Sequence, residues 1–94
     1  MRIDEPACDL SVAAALWSSL TDKPIGEGVI LLGEIGLGGE LRSIPFAEQR
    51  ILEAQRMGFE KVILPRASLK GIKTDRLSIK AVGVSSIRQA FDAI

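Results

Sequence analysis

The stretch Gly33–Pro45 constrains the fold of this chain more than any other. It follows an unbroken apolar run over 29–32, which is typical of a strand covered on both faces. The pair Gly38-Gly39 tolerates positive φ and predicts a tight reversal, with 40–44 as the returning strand. Pro45 has no N–H to lose at a first helical position, so it predicts a helix start. The stretch therefore predicts a β-hairpin that leads directly into a helix.

Three segments have the apolar periodicity of helices. The first begins near Asp4 or Glu5 and ends before Pro24, because a residue before proline is pushed out of the helical region. The second covers 46–57, with Gly58 as the left-handed residue beyond it. The third begins after Ser85 or Ser86, either of which can cap it. The predicted apolar face of the first helix comprises Leu10, Ala13, Ala14, Trp17 and Leu20.

Two further strands are predicted in the second half of the chain. Residues 61–64 read as a short buried strand that Pro65 stops, and residues 78–82 as another. A loop or short helical turn is expected over 66–76. Helix, hairpin, helix, strand, strand and helix together predict an α/β layer structure in a single small domain.

Composition excludes several kinds of site. Histidine is absent, which removes the commonest general base and the commonest transition-metal ligand. The single Cys8 cannot form an intrachain disulfide and makes a zinc site improbable, so a reducing cytoplasmic setting is the expectation. No apolar run approaches the roughly 20 residues of a membrane span, so no membrane partner is expected.

Charge is distributed unevenly although the formal net charge is zero. Residues 60–80 carry six basic and two acidic side chains, whereas residues 1–59 carry five basic and nine acidic side chains. A basic segment of this kind can contact nucleic-acid phosphates. The alternative is a solvated loop and strand edge whose lysines discourage aggregation. The residues alone leave both interpretations open.

The glycines around the hairpin do not form a nucleotide-binding motif. A Walker motif requires Gly-Lys-Ser/Thr, which is absent from the sequence. The dinucleotide motif fails as well, because Leu41 stands where the third glycine belongs. The serines have no histidine partner, and no Ser–Lys pair is singled out by spacing. Cys8 is interpreted as a small structural residue, although its position beside Asp9 near a helix start also suits a reactive thiol.

Three segments carry a family resemblance. The first, 4–13, is similar to the pattern D-P-A-x-D-L-A-V-A. The second, 33–42, runs on into the triplet Glu-Gln-Arg at 48–50. The third, 58–65, is followed by 82–87. Together they span nearly the whole chain, which resembles the C-terminal Lon-protease-like domain of bacterial DNA-repair proteins of the RadA (Sms) family.

This resemblance implies a fold like the second domain of ribosomal protein S5, shared with Lon peptidase. Lon peptidases carry a nucleophilic serine in a G-P-S-A-G turn, and Ala7 stands at that position here. Their partner lysine lies in a G-G-L-K-E-K stretch, and an ungapped alignment from Gly33 places Glu48 there. Alanine has no hydroxyl and a carboxylate cannot replace the amine base. The resemblance therefore implies an inactive peptidase domain, a pseudo-protease without catalytic residues.

The resemblance also implies partners. Proteins of that family are DNA-dependent ATPases that process recombination intermediates, in which a zinc finger and a RecA-like motor precede this domain. ATP, Mg and zinc are therefore expected upstream, and no cofactor in this chain. DNA and a ring-shaped homo-oligomer are the expected partners, with Lys70, Lys73 and Arg76 as the candidate DNA or assembly surface. The alternatives are an active Lon-type peptidase and a generic S5-like interaction module.

A last expectation concerns completeness. Domains that resemble this one have several strands before their first helix, whereas this chain begins almost at that helix. We therefore expect a partial domain with open strand edges that favour self-association.

Overall fold

The computed structural model describes residues 9–22, 25–26 and 28–94. Within these residues there are three α-helices: α1 (Asp9–Thr21), α2 (Ala47–Arg56) and α3 (Ile87–Ala93). The same residues form five strands: β1 (Val29–Leu31), β2 (Glu34–Ile35), β3 (Leu41–Arg42), β4 (Lys61–Pro65) and β5 (Lys80–Val84). Two 3₁₀ turns, Arg66–Leu69 and Thr74–Arg76, lie between β4 and β5.

A parallel sheet in the order β1-β4-β5 forms the centre of the fold. Ile63 of the middle strand lies opposite Leu31 on one side and Val82 on the other. The side chains of Val62, Ile63 and Leu64 are completely buried. The apolar run over 62–64 thus forms the kind of strand that it predicts, because a parallel strand covered on both faces needs no polar side.

The two faces of the sheet carry separate cores. Successive residues of a strand point to opposite faces, so Leu31 and Ile63 face α1 and α3 while Leu32 and Val62 face α2. On the first face, the rings of Trp17 and Phe91 stack with centroids 4.9 Å apart. The result is an α/β layer structure, as the sequence predicted.

The hairpin exists, but it is shorter than predicted and separate from the sheet. β2 and β3 pair over two residues each, with Glu34 opposite Arg42. Gly39 alone of the glycine pair has positive φ, 85°. The predicted strand over 40–44 breaks off after Arg42, because the Ile44 N–H donates to Ser68 Oγ at 3.0 Å instead of to a strand.

The first helix departs from its predicted face at one residue. Leu10 and Ala14 are fully buried as predicted, whereas Leu20 is 86% exposed. The helix ends at Thr21, and Asp22 follows with φ 58°. At the other end, the Ile35 N–H donates to the Asp9 carboxylate at 3.2 Å. The predicted start at Asp4 or Glu5 lies outside the described residues.

The second helix begins two residues after Pro45, so the prediction of Pro45 as a first helical residue is wrong. Phe46 adopts the left-handed conformation, φ 57° and ψ 39°, which keeps it and Pro45 out of the helix. The predicted end is confirmed. Gly58 has φ 95°, and its N–H donates to Gln55 O while that of Phe59 donates to Ala54 O, both at 3.1 Å.

The last strand and helix are close to their predicted places. β5 begins at Lys80 rather than 78, because the N–H groups of Ser78 and Ile79 donate to the Gln55 side chain. Ser86 caps α3, its hydroxyl accepting the Gln89 N–H at 3.2 Å. Among the helices of the described residues, none has both the length and the apolar character needed to cross a membrane.

Candidate nucleic-acid interface

The segment that connects β4 to β5, residues 66–79, is called the crossover loop below. It is fastened to the α2 side of the molecule at both ends. Near its start, Ser68 is 8% exposed and accepts the Ile44 N–H at 3.0 Å. At its end, the Gln55 side chain accepts the Ser78 N–H at 3.0 Å. These contacts hold the loop alongside α2, so the loop and the helix form one surface.

Two adjoining hollows lie between α2 and the crossover loop. The first has a volume of about 510 Å³ and the second about 310 Å³. Glu48, Leu52 and Ile72 line both, so they form one continuous depression that we call the α2–loop groove. The groove is further lined by Phe46, Ala47, Gln49, Ser68, Lys70, Gly71, Lys73, Arg76 and Leu77.

The three predicted cations all line this groove. Lys70 borders the first hollow, and Lys73 and Arg76 border the second. All three residues are exposed. Within the part of the chain that the structure describes, none of the three has an ion-pair partner. Their charged groups are therefore available to an anionic ligand.

Glu48 lies in the same groove. It is in the first turn of α2, is exposed, and borders both hollows. The other position of interest, Ala7, lies outside the described residues, as does Cys8. The structure thus brings Glu48 together with the three cations, an association that the spacing along the chain did not predict.

The sequence analysis missed the apolar part of the groove. Phe46 is 70% exposed and Leu52 39% exposed, and both line the first hollow. A signal was present, because Phe46 does not share the helical spacing of Ala47, Ile51 and Ala54, the residues of α2 that pack into the core. A large aromatic residue next to an amphipathic stripe, but outside it, is a candidate for exposure.

The groove offers groups that can bind a ligand. It presents three cations, one carboxylate and a patch of apolar side chains. In residues 9–22, 25–26 and 28–94, no group of three or more His, Cys, Asp or Glu side chains is placed to hold a metal ion. Such a surface suits an elongated anionic ligand that also has apolar parts.

One protein family and several bacterial proteins are similar to this chain. Residues 2–89 match the family described as the Lon protease (S16) C-terminal proteolytic domain. The chain is 45% identical over 94 residues to the DNA repair protein RadA of Streptococcus pyogenes serotype M1, covering all of this chain and 20% of that protein. It is 42% identical over 94 residues to the RadA protein of Streptococcus pneumoniae strain R6, covering 100% of the chain and 22% of the relative.

A relative with a lower identity is also a RadA protein. The RadA protein of Bacillus subtilis strain 168 is 38% identical over 90 residues, covering 96% of this chain and 19% of that protein. The chain spans about a fifth of the length of the curated relatives it matches.

Proposed function

The chain belongs to the Lon protease (S16) C-terminal proteolytic domain family, and on this premise we propose that it is a DNA-contact and assembly domain without peptidase activity. The observation that carries the proposal is the convergence of Lys70, Lys73 and Arg76 on one groove. The relatives named as DNA repair proteins support the choice of DNA as the ligand.

Contact with phosphates follows from the chemistry of the groove. Three exposed cations without ion-pair partners among the described residues can each replace a counterion on a nucleic acid. Each phosphate neutralised on a single strand contributes about 0.7 to the slope of log affinity against log salt concentration. The three side chains together account for a slope of about 2.

The loss of peptidase activity rests on two residue types. Ala7 stands where the nucleophilic serine of Lon-type peptidases is expected, and it has no hydroxyl. Glu48 stands at the position matched to the partner lysine, and its carboxylate faces a groove that also holds cations. Neither half of a Ser–Lys dyad is then present, so no activated nucleophile forms.

The larger protein is proposed to be a DNA-dependent ATPase of the cytoplasm that processes recombination intermediates in DNA repair. ATP, Mg and zinc would be bound outside this domain, and the domain would help to assemble a ring-shaped homo-oligomer. The support for this is the identity of 45% over the entire chain to proteins named for DNA repair.

The test is a salt series of fluorescence anisotropy with labelled single-stranded and forked DNA, using the full-length protein. Replacing Lys70, Lys73 and Arg76 by alanine is expected to reduce the salt slope by about 2. The control replaces Arg42, Arg56 and Arg88, three exposed cations that do not line the groove, and removes the same charge. An unchanged slope in the groove variant would contradict the proposal and favour a generic interaction module.

The family match also favours a second candidate, an active Lon-type peptidase. Casein degradation by the full-length protein, with ATP and Mg, separates the two. We expect no degradation above that of a sample without the protein. Degradation that persists when Ala7 and Glu48 are both replaced by glycine would establish the second candidate, with its catalytic residues at other positions.

A further inference from the structure

Phe46 combines two features that seldom occur together. Its side chain is 70% exposed, and its backbone is left-handed with φ 57°. A residue with a Cβ is destabilised in this conformation, and such outliers cluster at functional sites. Burial of the ring does not explain this conformation, because most of the ring lies in solvent.

The turn that carries Phe46 is held in place by Arg50. The Arg50 N–H donates to Phe46 O and its Nε donates to Pro45 O, both at 3.0 Å. The ring of Pro45 fixes its own φ, which further limits the conformations open to this turn. The aromatic side chain is thus presented from a fixed turn and not from a free loop.

The surroundings of Phe46 are apolar on one side and cationic on the other. Phe46 shares the first hollow with Leu52, Ile72 and Lys70, and this hollow continues towards Lys73 and Arg76. Proteins that bind single-stranded nucleic acid combine these two elements, an aromatic face for a base and a row of cations for the backbone.

We propose that the α2–loop groove binds single-stranded nucleic acid, with an unpaired base stacked on Phe46 and the adjacent phosphates on Lys70, Lys73 and Arg76. This inference rests on the proposed function and adds the form of the ligand to it. A duplex does not satisfy the groove, because its base faces are covered by neighbouring base pairs and cannot stack on Phe46. Stacking on an aromatic ring is tolerant of sequence, since every base has a π-face.

Glu48 determines on which side of the groove the backbone of the nucleic acid lies. Its carboxylate borders both hollows on the α2 side and repels phosphate, so the backbone follows the crossover loop and the base points towards the helix. Replacing Glu48 by glutamine removes this repulsion. It is therefore expected to tighten binding to single strands with and without bases alike.

The experiment compares three labelled probes of equal length: oligothymidylate, the same strand with abasic sites, and a blunt duplex. The full-length protein carries Phe46→Ala, the conservative Phe46→Trp, or the control Leu37→Ala, which removes a fully exposed side chain from the hairpin tip. Phe46→Ala is expected to weaken binding of oligothymidylate at least about fivefold. Binding of the abasic strand and of the duplex, and the salt slope, are expected to stay unchanged, and Phe46→Trp is expected to retain wild-type affinity.

Two results would overturn base stacking. One is an unchanged affinity of Phe46→Ala for oligothymidylate, which would assign the exposed ring to a protein contact. The other is an equal loss for the abasic strand, which would mean that Phe46 acts through the shape of the loop. In either case the proposed function still stands if the triple charge variant lowers the salt slope. An unchanged salt slope in that variant would instead remove the phosphate contacts, whatever Phe46 does.

Discussion

At the scale of single residues, the polar contacts that matter most join distant parts of the chain. Ser68 is buried, and its hydroxyl accepts the Ile44 N–H at 3.0 Å. This one bond ends the returning strand of the hairpin and fixes the beginning of the crossover loop. Sequence reasoning identified Ser68 only as a serine without a histidine partner, because a hydrogen bond across 24 positions leaves no local pattern.

Replacing Ser68 by alanine should destabilise the fold. The buried Ile44 N–H would lose its acceptor, and an unsatisfied buried donor costs about 1–3 kcal/mol. Urea unfolding followed by circular dichroism measures the free energy of unfolding of the variant. The control is Ser43→Ala, which changes an exposed serine one residue before Ile44 and should shift it by less than about 0.5 kcal/mol. Equal stability of both variants would show that the Ser68 bond is dispensable.

At the scale of elements, the features that depend only on neighbouring residues were predicted correctly from the sequence. Ser86 at the start of α3 and Gly58 after α2 both have the roles that their residue types predict, since a cap or a left-handed residue depends on its immediate neighbours. The failures have two causes. The end of β3 and the start of β5 are set by hydrogen bonds from elsewhere in the chain, whereas the start of α2 is set by the left-handed Phe46. The prediction that Leu20 is buried was wrong for another reason. Helical periodicity places a residue on one face of the helix, but it does not show whether another element covers that face.

The candidate site could likewise be predicted only in part from the sequence. The cations were predictable as a set, since six of the twelve basic residues fall within 60–80. Their convergence with Glu48 and Phe46 was not, because it depends on the crossover loop lying beside α2. That arrangement is a property of the parallel sheet, in which the connection from β4 to β5 must pass over one face.

At the scale of the whole molecule, the two faces of the sheet are covered by different elements and differ in their proposed roles. α1 and α3 cover one face, whereas α2 and the crossover loop cover the other and form the groove. Ligand contact is therefore expected on one face alone. The proposed DNA contacts, the proposed base-stacking position and Glu48 all lie on the α2 side.

Hydrogen exchange of the full-length protein with and without single-stranded DNA tests this assignment most directly. We expect slower exchange in peptides that cover residues 44–52 and 66–78, and unchanged exchange in peptides from α1 and α3. Slower exchange at α1 and α3, with no change at 44–52 and 66–78, would contradict this expectation and place the DNA on the opposite face of the sheet.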